Sequence, residues 1–229
     1  MLLRRWEDIP IEMQCREVRE YYDILSHRRY GLVIKRIFDI VVSSAMIVIL
    51  SPLLLAIAVL VGISSPGGIF FRQVRITSYG KKFKIFKFRT MVDGAEKLGG
   101  QVTVNNDSRV TGIGKILRNL RIDEIPQLFN ILSGDMTFVG TRPEVPGYVE
   151  KYTKEMLATL LLPAGVTSEA SIFFKDESRL LDEAEDVDKA YIEKVLPGKM
   201  YYNLRSIKQF SFFREIGIMV QTVLAVLKK

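Results

Sequence analysis

The sequence predicts an α+β chain, mostly helical, with a re-entrant membrane helix, a small β-hairpin and interfacial amphipathic helices around a membrane-surface active site. Three observations lead there. From Ile40 to Phe71, 32 consecutive positions carry no charge, and Pro52 interrupts them. Between Gly68 and Met91, apolar and basic residues alternate on either side of Tyr79-Gly80. From Ile113 onward, apolar residues recur at helical spacing.

In chain order, residues 1–30 read as a charged, partly helical N-terminal extension. Arg4, Arg5, Glu7, Asp8 and many later charges leave these thirty residues without the apolar run or small-residue cleavage site of a signal peptide. Residues 31–67 read as the membrane segment. A spanning helix needs about 20 apolar residues, so length alone permits a plain span. Two features point elsewhere. Pro52 removes a backbone donor and clashes with the preceding turn, which predicts a kink or break near Leu50 and Ser51. The Ser51 hydroxyl stands ready for the carbonyl so freed. Both flanks are also basic: Arg28, Arg29, Lys35 and Arg36 before the segment, Arg72, Arg75, Lys81, Lys82 and Lys84 after it. A spanning helix carries that bias on one side. Both ends are therefore expected on the cytoplasmic face, with the helix turned back at Ser51-Pro52; a kinked span is the alternative.

Residues 68–229 read as a cytoplasmic, interface-bound domain. Within the hairpin, Phe83 and Ile85 alternate with lysines in one phase, and Phe86 and Phe88 in the other, which predicts a bulge. Asp93 to Asp107 reads as a loop. Helical patterns follow around Ile113, Leu117 and Leu120, from Pro146 to Leu162, and from Asp176 to Leu196. Lys199 to Lys229 holds two aromatic-rich amphipathic segments, suited either to a membrane interface or to a core.

Composition narrows the chemistry. The single cysteine, Cys15, excludes an internal disulfide, and the single histidine, His27, leaves no material for a His-based metal site or a Ser-His-Asp triad. Any catalysis falls to carboxylates and arginines. The net charge is +7, yet Arg72 to Ile122 alone holds twelve cations against three anions. Such a block serves nucleic acid, acidic lipid headgroups or a phosphate-bearing substrate. The adjacent membrane segment disfavours nucleic acid and leaves the other two open.

"LRNLRIDEIPQLFN" places Asp123 beside Glu124, with Arg118 and Arg121 before them and Pro126 after. On this stretch alone, Asp123 is better read as a helix cap and Glu124 as the partner of Arg121. Downstream, "LSGDMTFVGTRPEVPG" presents Arg142 from a turn-rich segment, which suits an anionic ligand. A carboxylate can attack phosphorus when nearby cations offset the phosphate charge.

These pieces together resemble the bacterial sugar transferases, the monotopic phosphoglycosyl transferase family. From about Lys35 to Leu227 the matching stretches are "KRIFDI", Ser51-Pro52, "FFRQVRITSYGKKFKIFKFRTM", "NDSRVTGIGKILR", "RIDEIPQLFNILSGDMTFVGTRPE" and "LPGKMYYNLRSIKQFSFFREIGI". The resemblance implies transfer of a sugar-1-phosphate from a UDP-sugar to undecaprenyl (polyprenyl) phosphate at the inner membrane, with release of UMP. It makes Asp123 the nucleophile and has Glu124, with Asp123, hold Mg²⁺. It makes Arg118 and Arg142 phosphate ligands, joined as expectations by Arg89 and Arg109, and gives Ser51-Pro52 the re-entrant break. Membrane lipids are expected partners, nucleic acid is not, and a homodimer is left open. Three departures bear on donor choice: Thr141 before Arg142, "PAGVTSEAS" around Gly165 and Thr167, and Glu215 where an aspartate is common. The rival reading is a non-catalytic, membrane-anchored basic module.

Overall fold

The computed structural model describes residues 3–95, 107–175 and 186–227. Two 3-10 turns, Trp6–Asp8 and Ile11–Met13, lead into helix α1 (Arg16–Ser26). Residues 1–30 read from sequence as an extension, yet this stretch is part of the main core. Val18, Tyr21, Tyr22 and Leu25 of α1 pack with Leu160, Leu161, Leu204 and Ile207. Arg4 lies 4.4 Å over the Tyr79 ring, and Tyr21 Oη donates to Glu155 at 2.5 Å. A segment that buries this much apolar surface folds with the body it covers.

Helix α2 (Arg29–Ser64) holds 36 residues, about 54 Å if straight. It is continuous through Pro52, so the expected break is not a break in the helix. The reason is local. Pro52 lacks the N–H that would reach the Val48 carbonyl, and Ser51 Oγ donates to that carbonyl instead, at 2.8 Å. Only 11% of the most apolar 18-residue window of α2 is buried, so this is no ordinary core helix. Val48, Ile49, Leu55 and Ile63 all stand exposed.

Both halves of α2 rest on the same body. In the N-terminal half, Lys35 Nζ donates to Val139 O at 2.7 Å and pairs with Glu215 at 2.5 Å. Arg36 donates to Ile131 O and Leu132 O, and Asp39 accepts from Thr137 Oγ1 at 2.7 Å and from the Phe138 amide at 3.3 Å. Midway, Met46, Ile47 and Leu50 pack against Leu128, Ile131 and Met136. In the C-terminal half, Ile57 and Val61 pack against Phe88 and Leu117.

Strands β1 (Phe70–Ile76) and β2 (Lys82–Phe88) form the hairpin, turned at Ser78–Gly80 with Tyr79 at φ 57° and Gly80 at φ 72°. Their antiparallel register runs from Phe70 opposite Phe88 to Ile76 opposite Lys82 with no inserted residue. The expected bulge is therefore absent. The change of phase has another cause: the end of β2 is covered on both faces, Phe88 by α2 and Lys87 by the acidic pair described below.

Helix α3 (Gly112–Asn119), a 3-10 turn (Ile122–Glu124) and helix α4 (Gln127–Ser133) follow, and Gly134 at φ 89° ends α4. Strand β3 (Met136–Val139) then pairs in parallel with β4 (Ala164–Thr167), a second small sheet that the alternation did not announce. Between them the stretch expected as one helix from Pro146 to Leu162 divides into α5 (Pro146–Val149) and a 3-10 helix (Met156–Leu161). Helix α6 (Glu169–Phe173) follows β4. The chain closes with α7 (Val187–Ala190), a π-helical turn (Tyr191–Val195), α8 (Leu196–Lys208) and α9 (Phe212–Leu227). Most of the loop expected from Asp93 to Asp107, and the start of the helix expected at Asp176, lie outside the described residues. Of the two fates open to the last amphipathic segment, α9 takes the exposed one: Ile218 is buried, whereas Phe213, Val223 and Leu227 face outward.

Candidate active site

The acidic pair sits where three segments converge. Asp123 and Glu124 occupy the 3-10 turn between α3 and α4, directly after Arg121 in the left-handed conformation at φ 58°. A non-glycine residue there is held at a cost of roughly 1–2 kcal/mol, a feature that clusters at functional turns. Asp123 therefore does not cap α4; Pro126 stands at that helix's start. Glu124 does not pair with Arg121 either.

The partners of Glu124 come from the two sheets. Lys87 Nζ and Arg142 Nη2 both donate to Glu124 Oε1, each at 2.7 Å. Lys87 shares the inward face of β2 with Phe83 and Ile85, because side chains alternate along a strand. Arg142 is delivered by a close crossing of backbones. The chain leaving β3 presses on β4 at Gly140 and Gly165: a Cβ on Gly165 would lie 2.2 Å from Gly140 N and O. Gly140 N donates to Thr167 O and Gly165 N to Thr141 O, which fixes the turn just before Arg142. Arg75 steadies it from β1, donating to Pro143 O at 3.1 Å.

Arg118, from the last turn of α3, donates through Nε to Thr90 Oγ1 at 2.8 Å and acts on Asp123 electrostatically. Arg109 clasps Asp107 through Nη2 at 2.6 Å and Nε at 2.9 Å, and it neighbours Arg118 rather than the acidic pair. Arg89 goes elsewhere. It is 7% exposed and donates to Pro66 O at 2.6 Å and Ser65 O at 2.7 Å, so it closes the C-terminal end of α2. The sequence assigned it to phosphate; the structure commits it to the carbonyls a helix end leaves open.

The electrostatics split the pair. Burial pushes the Asp123 carboxyl up from its ordinary value, reinforced by the Glu124 charge and opposed by Lys87 and Arg118. Burial pushes Glu124 up as well, but Arg142 and Lys87 outweigh it and hold that carboxyl well below the usual range. Burial also lowers Lys87, against the pull of Glu124. Among the described residues no side chain hydrogen-bonds to the Asp123 carboxylate, which is 7% exposed. Two neighbouring carboxylates driven apart in this way are the usual sign of divided chemical labour.

Sequence reasoning found Asp123, Glu124, Arg118 and Arg142 and missed Lys87 and Arg75. For Lys87 the signal was present, a charged residue on the strand face that otherwise carries Phe83 and Ile85, whereas Arg75 shares its face of β1 with Gln73, to which it donates. Among the described residues no cluster of three or more His, Cys, Asp or Glu that could hold a metal exists.

Comparison with known proteins gives this geometry a context. The family described as bacterial sugar transferase matches residues 30–229. The UDP-N-acetylgalactosamine-undecaprenyl-phosphate N-acetylgalactosaminephosphotransferase of Aeromonas hydrophila is 36% identical over 197 residues, covering 85% of this chain and 44% of the relative. The UDP-glucose:undecaprenyl-phosphate glucose-1-phosphate transferase of Klebsiella pneumoniae is 36% identical over 199 residues, 84% of this chain and 40% of the relative. The chain thus spans less than half the length of these two. The exopolysaccharide production protein ExoY of Rhizobium meliloti is matched over 88% of its length and 87% of this chain, at 33% identity. With a match that takes in all but the first 29 residues, the chain belongs to the bacterial sugar transferase family.

Proposed function

We propose that this protein moves a sugar-1-phosphate from a UDP-sugar to undecaprenyl (polyprenyl) phosphate through a covalent aspartyl-phosphosugar, starting a surface glycan on its lipid carrier. The observation that carries the reading is the contrast inside the pair. Glu124 has its charge absorbed by Lys87 and Arg142, while Asp123 stands one residue away with no side chain among the described residues bonded to it. An oxygen of Asp123 attacks the sugar-bearing phosphorus of the diphosphate. The bond from that phosphorus to the bridging oxygen breaks, and its electron pair leaves with UMP. An oxygen of polyprenyl phosphate then attacks the same phosphorus and returns Asp123 as a carboxylate. Neither step needs an alcohol deprotonated, which suits a chain whose one histidine, His27, is engaged at Asp23 O on α1. Lys87, Arg142 and Arg118 offset the charge that a diphosphate brings to two carboxylates.

Asp123 and Glu124 fit Mg²⁺. They are adjacent hard oxygen donors, and among the described residues no side chain bonds to Asp123 or to the second oxygen of Glu124. Mg²⁺ is commonly held by one or two carboxylates with substrate phosphates and water. When bound it supplies further positive charge to the diphosphate.

A monotopic seat on the cytoplasmic face of the inner membrane belongs to the same reading. Its support is that Lys35 and Arg36 fasten the start of α2, and Arg89 its end, to one folded body. A helix crossing a bilayer would separate its ends by about 30 Å of hydrocarbon. The exposed apolar residues of α2 and α9 supply the surface that lipid would cover. Accessibility labelling of cysteines placed at Arg29 and at Gly68, where an added Cβ meets nothing closer than 3.8 Å, in sealed inverted vesicles should mark both positions equally; protection of one alone would return the kinked span.

The test of the reaction is UMP release by purified protein with undecaprenyl phosphate, Mg²⁺ and a panel of UDP-sugars. Wild type should release UMP with at least one donor, and Asp123→Asn should lose at least about a thousandfold in rate. Turnover persisting in Asp123→Asn would exclude the covalent route.

A further inference from the structure

The free edge of β2 is closed by a side chain where another strand would normally lie. Asn130, on α4 and 1% exposed, donates through Nδ2 to Lys84 O at 2.9 Å and accepts at Oδ1 from the Phe86 amide at 2.9 Å. A carbonyl and the amide two residues on point to the same edge of a strand, so the carboxamide takes both bonds a neighbouring strand would take. The position of this clasp matters. The residue after Phe86 is Lys87, and α4 leads directly back to the turn that holds Glu124. Asn130 thus ties together the two elements that carry the ends of the 2.7 Å Lys87–Glu124 pair.

The other contacts between β2 and α4 are apolar: Phe83 and Ile85 against Leu128 and Ile131. Apolar packing is non-directional and tolerates sliding along the strand. Register does not tolerate it. A shift of β2 by one residue along α4, about 3.4 Å, would carry Lys87 out of reach of Glu124 even with the pairing of β2 to β1 intact. The directional element in this interface is the Asn130 carboxamide.

We propose that Asn130 is a positioning residue: it fixes the register of β2 on α4 and thereby holds Lys87 on Glu124. The kinetic half of this inference rests on the transferase reading; the geometric half does not. The first measurement therefore needs no turnover. Acylation of lysines with acetic anhydride, read by mass spectrometry, compares the buried Lys87 amine with exposed Lys82 on the same strand. Asn130→Ala should raise the Lys87:Lys82 labelling ratio at least about fivefold while the protein stays folded. Should Asn130→Ala fail to fold, Asn130→Asp keeps the acceptor for Phe86 N, loses the donor to Lys84 O, and should raise the ratio in the same direction. The second measurement is kcat/KM for UMP release in a double-mutant cycle. Asn130→Ala should lower it about tenfold in the wild-type background and less than twofold in Lys87→Met. An unchanged labelling ratio in a folded variant overturns the inference, and so does an equal loss of kcat/KM in both backgrounds. If wild type releases no UMP, the transferase reading fails and the labelling ratio still decides the role of Asn130.

Discussion

Two buried clusters in this protein are built from the same parts and finished differently. Each sets a lysine against a pair of carboxylates. In the first, Lys35 meets Glu215 at 2.5 Å and Val139 O at 2.7 Å, while both oxygens of Asp39 accept from β3, one from Thr137 Oγ1 and one from the Phe138 amide. In the second, Lys87 and Arg142 converge on one oxygen of Glu124, and Asp123 beside it receives no side-chain bond from the described residues. The first is closed by the protein's own backbone. The second leaves the Asp123 carboxylate without a side-chain partner among the described residues. Fully satisfied buried networks rigidify a fold, whereas unsatisfied charge at a strained turn is tolerated where it does chemistry. The difference lies in bonding and in the partial exposure of Lys87 and Arg142, since both clusters hold acids and a base.

The contrast breaks most sharply on its two lysines. Lys35→Met strands Glu215 and a buried carbonyl, and should lower stability by about 3 kcal/mol, read as a shifted denaturation midpoint. Its kcat/KM per folded molecule should stay within about threefold of wild type, because the cluster touches no reacting group. Lys87→Met should do the reverse. Arg142 still neutralises Glu124, so the stability loss should be about 1 kcal/mol, while kcat/KM should fall about a hundredfold with the lost charge compensation. If both substitutions lowered turnover alike, the division into a closed and an open cluster would not hold.

How legible these clusters were in the sequence depends on how far apart their members lie. The pair Asp123-Glu124, with Arg118 close before it, is a local pattern and could be read directly. So could α2, from an uncharged run, and the hairpin, from alternation about Tyr79-Gly80. Lys87 was hidden because a strand covered on both faces at its end loses clean alternation, and Phe86-Lys87-Phe88 then looks like an inserted residue. Arg89 misled for a related reason: an arginine in a basic stretch looks like a phosphate ligand until the carbonyls of Ser65 and Pro66 are seen against it. The parallel β3–β4 pair joins segments far apart in the chain, and its strands of four residues are too short to show a period. Residues 1–30 looked detachable because their core partners, Leu160, Leu204 and Ile207, come more than a hundred positions later. The closed cluster was half visible. "KRIFDI" and Glu215 were noticed singly, and nothing in sequence links them.

The smallest effects come from Glu215 itself and sharpen the comparison furthest. Burial raises its carboxyl above the ordinary 4.5, with Lys35 pulling the other way. A carboxyl raised on folding contributes stability that is present below its unfolded value and lost as pH rises through the folded one. Glu215→Gln does not titrate, so its midpoint relative to wild type should climb from pH 4.5 upward; a flat difference would mean that the cluster holds Glu215 ionised without strain. Glu215→Asp installs the residue common at this position among the proteins the chain resembles, one methylene shorter. The 2.5 Å contact with Lys35 should open, at a cost of about 1 kcal/mol, and UMP release should not change. A change in UMP release would carry a specific meaning. Lys35 holds Val139 O, and Val139 lies three residues before Arg142, so the closed cluster would then be setting the open one through β3.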